Sequence, residues 1–470
     1  MNNRKRLKGF IACAISVYML TTISSKVMVA AAEIPAGGPP AASITPITSA
    51  AVYIKDGKYT LDNSITSAVS GSDVTGSAAK KIKILSDVES LNGLYVTGSN
   101  SNYLLENSKI LLSGNGSDDF SGVGAGAMVN DGGTLTLSNS QIITNGCIRS
   151  ATAATDNSTI KVYDSTLMAN GGALPSDYVA KIGPGMMTPP TGLAVTGTAR
   201  TCLTMNNSKS YYYNSNIIAD GWGALSTDSA NGYVYLEANN CRVKTITSGY
   251  GAYADNGCHD AFNNCKFDSA AMALIMAGTN DATFNNTSVI CKTNFAMLHC
   301  VMGSTSDKST LNVNGGNIET DDSTILVKSH NADITIDGSN IVCKNGVLIK
   351  SIINSDENRT KVPTGEKVYG INTMLKNMRL EGDILHEDTE RTMSINLVGT
   401  TLKGKIKDAS INIDANSKWT ATADSNVTLV SSDISKIDAP TGVTITAKAG
   451  SDCTLSGSYT LASGGILNVN

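Results

Sequence analysis

The feature that most constrains this chain is a short motif that recurs along most of its length. An apolar residue and any residue precede Asn, Asp or Gly, and a small residue, any residue and an aliphatic or aromatic residue follow. Residues 105–110, 137–142 and 262–267 are three instances. The Asn, Asp or Gly recurs at positions 107, 139, 164, 214, 240, 264, 286, 315, 338, 377 and 399. Most steps are 22 to 29 residues, which is typical of a solenoid with one motif in each coil.

Alternating residues precede the motif, as at 134–137 and 333–336. A period of two is expected where one face of a strand points into a core. Asn, Asp and Gly most readily accept a left-handed backbone, which a one-residue bend between two strands requires. We therefore predict that the small residue after the bend and the apolar residue two further on both point inward. These apolar residues are Ile142, Leu167, Ile217, Val243, Phe267, Val289, Ile318 and Ile341.

The predicted fold class is all-β, a single-stranded right-handed parallel β-helix of about eleven or more coils. Right-handedness follows from the general preference of crossovers between parallel strands. A β-sandwich or a series of immunoglobulin-like domains is the alternative, but neither predicts a motif at one register in every coil. With coils about 4.8 Å apart, the asparagines at the bend would form a ladder of amide hydrogen bonds. These are Asn139, Asn214, Asn240, Asn264 and Asn286.

The pattern resembles the pectate-lyase-like superfamily of right-handed β-helices, which place an Asn at one turn of the coil. A second resemblance covers about residues 171–350. Segments 197–201, 211–217, 219–228 and 249–253 are similar to a group of uncharacterised secreted bacterial β-helix proteins. This second resemblance implies the fold and export from the cell, and it implies no reaction.

The N-terminus has the layout of a secretory signal peptide, predicted at 1–32, with basic, apolar and small residues in that order. Its apolar run is shorter than the ~20 residues that a membrane anchor needs. An N-terminal cap or linker at 33–80, the β-helix at 81–402 and degenerate closing coils at 403–470 are predicted to follow. The Pro/Gly-rich segment 174–191 is predicted to be a lateral insertion, and 354–361 is a second, charged one.

The signal peptide holds five of the 36 basic residues, so the mature chain carries 31 basic and 40 acidic residues and a net charge near −9. This charge argues against nucleic acid as a partner. We also expect no membrane span after signal removal, no metal site and no cofactor. Pectate lyases of this fold bind Ca²⁺ through clustered carboxylates, and Ca²⁺ is possible here but unsupported. The acidic pairs Asp118–Asp119 and Asp321–Asp322, like residues 386–388, are read as solvated turns.

Nine cysteines follow the signal peptide. Cys241 and Cys265 occupy the same motif position in successive coils, at a separation that a disulfide can bridge. The same position elsewhere holds Ser, Thr, Gly or Met, so a small inward residue is sufficient there. The sequence favours two buried thiols and leaves the disulfide open.

The strands that follow Ile217 and its equivalents carry aromatic and charged residues together. In the predicted register Trp222, Tyr250 and Phe295 share a column, beside His259, His299, Lys328 and Lys350. Rings stack on the apolar faces of sugars, and carboxylates accept hydrogen bonds from hydroxyls. The predicted ligand-binding residues are Trp222, Asp228, Tyr250, Tyr253 and Asp255, with Arg200 and Lys181 closing over them. The alternative is that these rings pack in the core and the charges solvate a face.

The predicted function is that of a secreted or cell-surface bacterial protein, adhesin-like, which binds a glycan or another surface through a lateral face. One alternative is a polysaccharide lyase or glycoside hydrolase of the β-helix type. Its carboxylates, Asp228 and Asp255, would lie about 5–9 Å apart in a groove. A purely structural spacer in a surface layer is the third class. The sequence assigns no catalytic residue and does not decide among these classes.

Overall fold

The structure is a computed structural model that describes residues 47–181, 185–228, 232–299, 304–355, 359, 361–430 and 432–470. The predicted signal peptide and the first residues of the predicted cap lie outside this range. The described residues form 45 strands, numbered β1 to β45 in chain order, and four short 3-10 helices. The helices are Leu61–Asn63, Thr66–Ala68, Thr191–Leu193 and Ile434–Lys436.

Three strands make up a coil, and equivalent strands of successive coils pair in parallel to form three lateral faces. Face 1 contains β1 (Ala50–Lys55), β6 (Asn92–Thr97), β9 (Ala127–Asn130), β12 (Thr152–Ala154), β15 (Arg200–Met205), β18 (Gly223–Asp228), β21 (Tyr250–Ala254), β24 (Met272–Ala277), β27 (Ala296–His299), β30 (Ile325–Lys328), β33 (Val347–Ile352) and β36 (Asp383–His386). Face 2 contains β4 (Ala78–Lys80), β7 (Asn102–Glu106), β10 (Thr134–Ser138), β13 (Thr159–Tyr163), β16 (Lys209–Tyr213), β19 (Val234–Asn239), β22 (Cys258–Asn263), β25 (Asn280–Asn285), β28 (Lys308–Asn314), β31 (Asn331–Asp337), β34 (Ile371–Lys376) and β37 (Met393–Val398). Face 3 contains β5 (Ile82–Ser86), β8 (Lys109–Ser113), β11 (Gln141–Asn145), β14 (Thr166–Ala169), β17 (Asn216–Ala219), β20 (Arg242–Thr245), β23 (Lys266–Ser269), β26 (Ser288–Cys291), β29 (Asn317–Thr320), β32 (Asn340–Cys343), β35 (Arg379–Glu381), β38 (Thr401–Lys403), β40 (Lys418–Thr420) and β42 (Ile437–Asp438).

The ends of the stack differ from its middle. The remaining strands are β2 (Lys58–Tyr59), β3 (Val69–Gly71), β39 (Ile406–Ile413), β41 (Ser425–Leu429), β43 (Thr444–Ala449), β44 (Gly457–Thr460) and β45 (Ile466–Val469). β2 and β3 pair antiparallel with β1 and β5, and β44 pairs antiparallel with β45. Between them, parallel pairing runs from coil to coil, and it continues through β39, β41, β43 and β45. The chain is therefore a parallel β-helix, as the recurring motif predicts.

The Asn, Asp or Gly of the motif lies at the bend between a face 2 strand and the next face 3 strand. All eleven motif positions have positive φ, from 45° at Asn139 to 66° at Gly315. This is the left-handed region that these residue types tolerate best. The predicted one-residue bend is confirmed.

The predicted inward positions form the core of the helix. Seven of the eight apolar residues after the bend are buried, and Ile341 is half-buried. Ile341 lies on β32, the last strand of one face 3 sheet, and a separate sheet begins at β35. The side chain is therefore covered less completely than its equivalents in the uninterrupted part of the stack.

The small residue after the bend points inward as predicted, and in several coils its Ser or Thr hydroxyl accepts a hydrogen bond from the backbone of the preceding coil. The backbone N–H of Ser140 donates to Ser165 Oγ at 3.0 Å, and that of Ser165 donates to Ser215 Oγ at 3.1 Å. Farther along, the N–H of Met378 donates to Thr400 Oγ1 at 3.3 Å. Cys241 and Cys265 occupy this position as free, buried thiols.

The asparagine ladder is only partly where the sequence predicts it. Asn240 Nδ2 donates to Asn214 Oδ1 at 3.4 Å. A longer ladder lies one residue earlier, at the end of the face 2 strands. There Asn263 donates to Asn239 at 3.0 Å, Asn285 to Asn263 at 2.7 Å and Asn314 to Asn285 at 2.8 Å. Residues within paired strands keep one register, whereas the exposed bend residues point into solvent.

The lateral insertion is confirmed and occupies residues 170–199, between β14 and β15. Its Met186, Leu193 and Val195 pack against Trp222, Tyr250, Met272 and Met297. Face 1 is consequently buried on both sides over several coils. A second excursion joins β33 to β34 and contains the charged segment 354–361, part of which lies outside the described residues.

Candidate functional site

Six of the seven predicted site residues come together on the outer side of face 1. Arg200 begins β15, Asp228 ends β18, and Tyr250 and Tyr253 lie on β21. The Tyr250 and Tyr253 rings are 5.5 Å apart between centroids. Lys181 is exposed on the insertion and, among the described residues, takes part in no ion pair.

Arg200 is the centre of this group. Its Nη1 donates to Asp228 Oδ2 at 2.7 Å, and its Nε donates to Asp119 Oδ2 at 3.0 Å. Its guanidinium carbon lies 4.6 Å from the ring centroid of Phe120 and 5.4 Å from that of Trp222. Two carboxylates and two rings therefore hold the guanidinium in one position.

The titration of this group follows from burial and pairing. Burial alone would lower the pKa of the Arg200 guanidinium, but Asp119 and Asp228 raise it well above its ordinary value. Burial raises the pKa of Asp228, although Arg200 acts against that rise. The Asp255 side chain hydrogen-bonds Asp228, and Tyr250 bonds Ser226 Oγ at 2.9 Å. Burial also raises the pKa of Tyr250 to about 12.

This patch is covered, contrary to the expectation of an accessible lateral site. Trp222 is 2% exposed and Tyr250 is 1% exposed, because the insertion packs over both rings. Trp222 also has φ 61°, which is a rare conformation for a bulky residue. The two rings belong to a small apolar core between face 1 and the insertion. Asp228 and Asp255, both buried, line no open groove.

Three further expectations need correction. Phe295 is fully buried against Phe284 in the central core and does not share a column with Tyr250, which pairs with Met272. Asp119 is buried in the Arg200 ion pair and is not a solvated turn. Asp388, at the end of the supposed charged turn 386–388, is likewise buried and paired with Arg391 at 3.2 Å.

A different surface combines accessible aromatic rings with polar groups. Alternate residues of face 2 strands point outward, so Tyr212 is buried whereas Tyr211 and Tyr213 reach the surface of β16. Tyr163 lies on β13, Tyr233 lies immediately before β19, and Tyr235 is the second residue of β19. We call these five side chains together with His259 of β22 the tyrosine strip.

The rings of the tyrosine strip lie on four successive coils and form two contacting groups. Tyr163 and Tyr213 stack with centroids 4.9 Å apart and an interplanar angle of 8°. Tyr211 and Tyr235 are 5.7 Å apart, and Tyr233 stacks on His259 at 4.3 Å. At about 4.8 Å per coil, the strip is about 14 Å long. It runs diagonally over the outer surface of face 2.

Some polar atoms of the strip form hydrogen bonds with the protein and others do not. Tyr235 donates its hydroxyl to Glu237 Oε2 at 2.8 Å, and Asn239 donates to Glu237 Oε1 at 2.7 Å. Glu237 thus anchors both the strip and the asparagine ladder. Within the described residues, the hydroxyls of Tyr163, Tyr211, Tyr213 and Tyr233 form no close hydrogen bond with the protein. His259 pairs with Asp281 of the next coil.

The spacing of the tyrosines in the sequence already indicates this strip. Tyr211 and Tyr213, like Tyr233 and Tyr235, are two residues apart, which places both members of a pair on one side of a strand. The motif also fixes how neighbouring strands align. The two together place the rings on adjacent coils, whereas Trp222, which the sequence also favours as a binding residue, packs in the interior.

No protein-family model and no curated protein sequence matches this chain. Among the described residues, no group of three or more His, Cys, Asp or Glu is placed to hold a metal ion. No helix in that part of the chain is long and apolar enough to cross a membrane.

Ser351 and His386 resemble a serine nucleophile and its base, but their hydrogen bond only joins two coils. Ser351 Oγ lies 2.5 Å from His386 Nδ1, and His386 Nε2 lies 2.9 Å from the carbonyl oxygen of Arg391. The Arg391 carbonyl can only accept, so Nε2 carries the proton and Nδ1 accepts from the serine. Both side chains are buried, and Ser351 pairs with Val327 on the inward side of face 1. The pair joins coils and has no surface that faces a substrate.

Proposed function

We propose that this chain is a secreted or cell-surface protein, adhesin-like, that binds a glycan through the tyrosine strip. The observation that carries the proposal is the concentration of six rings on the outer side of face 2, in two contacting groups, Tyr163 with Tyr213, and Tyr211, Tyr235 and Tyr233 with His259. Tyr233, half-buried in its neighbours, still exposes 49% of its surface.

The rings of the strip are suited to weak, extended ligands. Each tyrosine has few rotatable bonds, and stacking on its neighbours fixes it further, so little conformational entropy is lost on binding. Ring edges and faces offer apolar contact, while free phenol hydroxyls offer donors and acceptors. A sugar presents the same alternation of C–H faces and hydroxyls. The match favours a neutral or weakly charged oligosaccharide.

The length and direction of the strip support a polymer as ligand. The strip spans about 14 Å, and the asparagine ladder continues beside it over β22, β25 and β28. A chain laid along the strip could therefore reach further amide groups in the same direction. We also infer that the protein belongs to the pectate-lyase-like superfamily, since its bends carry the Asn that suggests it.

The positions of Asp228 and Asp255, the predicted acid pair, do not favour the alternative function of a lyase or hydrolase. Asp228 and Asp255 are both buried, and Arg200 neutralises Asp228. An inverting or retaining glycosidase needs two carboxyl groups that flank a bound sugar. The strip itself offers one carboxylate pair only through Glu237 and Asp281, each already engaged.

The test is to screen the purified chain against a panel of polysaccharides, measuring binding and depolymerisation separately. We expect retention on at least one polysaccharide, with no new reducing ends and no unsaturated products. Depolymerisation would overturn the non-catalytic proposal. Failure to bind any glycan of a broad panel would favour the structural spacer.

A further inference from the structure

The outer side of face 3 carries an apolar stripe that the tyrosine strip does not use. In the strand register Leu85 pairs with Leu111, Leu111 with Ile143, Ile143 with Met168, and Met168 with Ile218. Their neighbours in sequence point inward and are buried, so this column faces outward. Leu85 exposes 45% of its surface and the other four are half-buried. We call the five residues the aliphatic stripe.

The same column changes character in the second half of the stack. After Ile218 it continues as Lys244, Asp268, Ile290, Glu319 and Val342. The column is thus wholly aliphatic over its first five coils and mixed over the next five. Position on the strand does not explain the difference, because the register is unchanged. Contact of the first half of the column with an apolar environment, which the second half does not touch, does explain it.

Cations flank the aliphatic stripe on the same face. Two residues before the stripe, the neighbouring column contains Lys83 and Lys109 on adjacent coils, and Arg242 and Lys266 on two later ones. All four are exposed, and none forms a salt bridge within the described part of the chain. Lys244 and Asp268 are 3.5 Å apart and offset each other. Face 3 is therefore locally basic on a chain with an acidic net charge.

Two features argue against a second copy of the chain as the occupant. Stable protein interfaces bury about 800 Å² on each partner, which is more than the five partly exposed side chains of the stripe supply. Two copies packed through face 3 would also bring their lysine columns together. A partner that is both apolar and negatively charged fits the face better.

We propose that face 3 docks the protein on a bilayer surface with anionic headgroups. The aliphatic stripe would enter the boundary between headgroups and acyl chains, and Lys83, Lys109, Arg242 and Lys266 would contact the phosphates. Face 2 and face 3 meet only at the left-handed bend, so the tyrosine strip stays free when face 3 is covered. This provides a means of surface retention and stands independently of the proposed glycan binding.

The test is cosedimentation of the purified chain with vesicles. We expect binding to vesicles of phosphatidylglycerol and phosphatidylcholine, weaker binding to phosphatidylcholine alone, and loss of binding with rising salt. Ile143→Gln/Met168→Gln should lower the partition coefficient about tenfold. Lys83→Gln/Lys109→Gln should lower binding to the anionic vesicles alone.

The matched control uses the same column in the mixed half. Ile290 and Val342 are 37% and 49% exposed and so more accessible than Ile143 and Met168, yet Ile290→Gln/Val342→Gln should leave binding unchanged. Circular dichroism and thermal melting check that each variant is folded. Equal loss in both pairs, or no binding by the unchanged chain, would overturn the proposal. So would a dimer in sedimentation equilibrium that the stripe variant abolishes.

Discussion

Asp260 is an acidic residue at an inward position that is apolar in the neighbouring coils. It lies on the inward side of β22, between Leu236 of the preceding coil and Ala282 of the next. It is 2% exposed, and its Oδ1 accepts a hydrogen bond from Thr227 Oγ1 at 3.0 Å. Burial raises the pKa of Asp260 well above its ordinary value. Burial therefore favours the neutral form of this carboxyl, which lies in a column of apolar residues.

Asp260→Leu should stabilise the protein at neutral pH. The unfolded chain ionises this carboxyl near pH 3.9, whereas burial holds the pKa of Asp260 well above that value in the folded chain. The wild-type stability linked to Asp260 is thus fully present below that pH and falls as pH rises toward the folded pKa. The variant should gain about 1–3 kcal/mol at pH 7 and less at pH 4.

Urea denaturation at both pH values measures this gap. Asp260→Asn, which has the same shape without the charge, should show the same trend with pH. A gap of equal size at pH 4 and pH 7 would contradict a raised pKa at the buried Asp260 carboxyl.

Trp222→Ala should destabilise the fold, because the ring is packed between face 1 and the insertion. Removing a buried aromatic side chain costs about 3–5 kcal/mol, and the contact with Arg200 is lost as well. The control is Tyr233→Ala, which removes a ring that is 49% exposed. We expect the control to melt near the wild type. If both variants melt alike, the insertion does not hold the ring.

At the scale of the elements, the bends follow from residue chemistry and the insertion does not. Eleven positions with left-handed φ could be predicted from residue type and spacing alone. Nothing in the spacing indicates that Asp119 would meet Arg200, which lies 81 residues away. That contact depends on where a long excursion returns over the coils. The sequence therefore identifies the site residues as neighbours and misses that they are covered.

Asn264→Val should cost stability through the bend alone. Asn264 has φ 53° and is exposed, and a β-branched residue in that conformation costs about 1–2 kcal/mol. Asn264→Gly accepts the same φ and should lie close to the wild type. Chemical denaturation of the two variants side by side distinguishes backbone strain from loss of a side-chain contact. Equal destabilisation would show that the asparagine amide matters more than its backbone.

At the scale of the whole molecule, the stack depends on each coil covering its neighbours. Val289 points into the core and Ile290, the next residue, points out from face 3. Val289→Asp would bury an unpaired charge in a one-dimensional array. We expect a loss of several kcal/mol or failure to fold. Ile290→Asp, the control, should fold and melt close to the wild type.

The fold could be predicted at this scale because a solenoid repeats one local solution. The left-handed bend, the small inward residue and the apolar residue after it recur in coil after coil. Where the pattern of one coil is ambiguous, the patterns of the other coils therefore still indicate the fold. Predicting the tyrosine strip takes one further step, because its residues belong to different coils. Both the alignment of neighbouring strands and the side of the strand on which each tyrosine lies must be known before the rings can be placed together. The Asp260 carboxyl lies at an inward position that looks apolar in its neighbouring coils. Such exceptions are visible only when the whole column is aligned.

The most direct test of the account is the affinity of the strip for the glycan found in the panel. Tyr213→Ala/Tyr235→Ala removes two of its rings and leaves the core intact, and Tyr369→Ala removes a 53% exposed ring several coils away. Isothermal titration calorimetry should give a Kd raised at least about tenfold for the double variant. The Tyr369→Ala chain should bind as the wild type does. Unchanged affinity in the folded double variant would contradict the assignment of the tyrosine strip as the binding site.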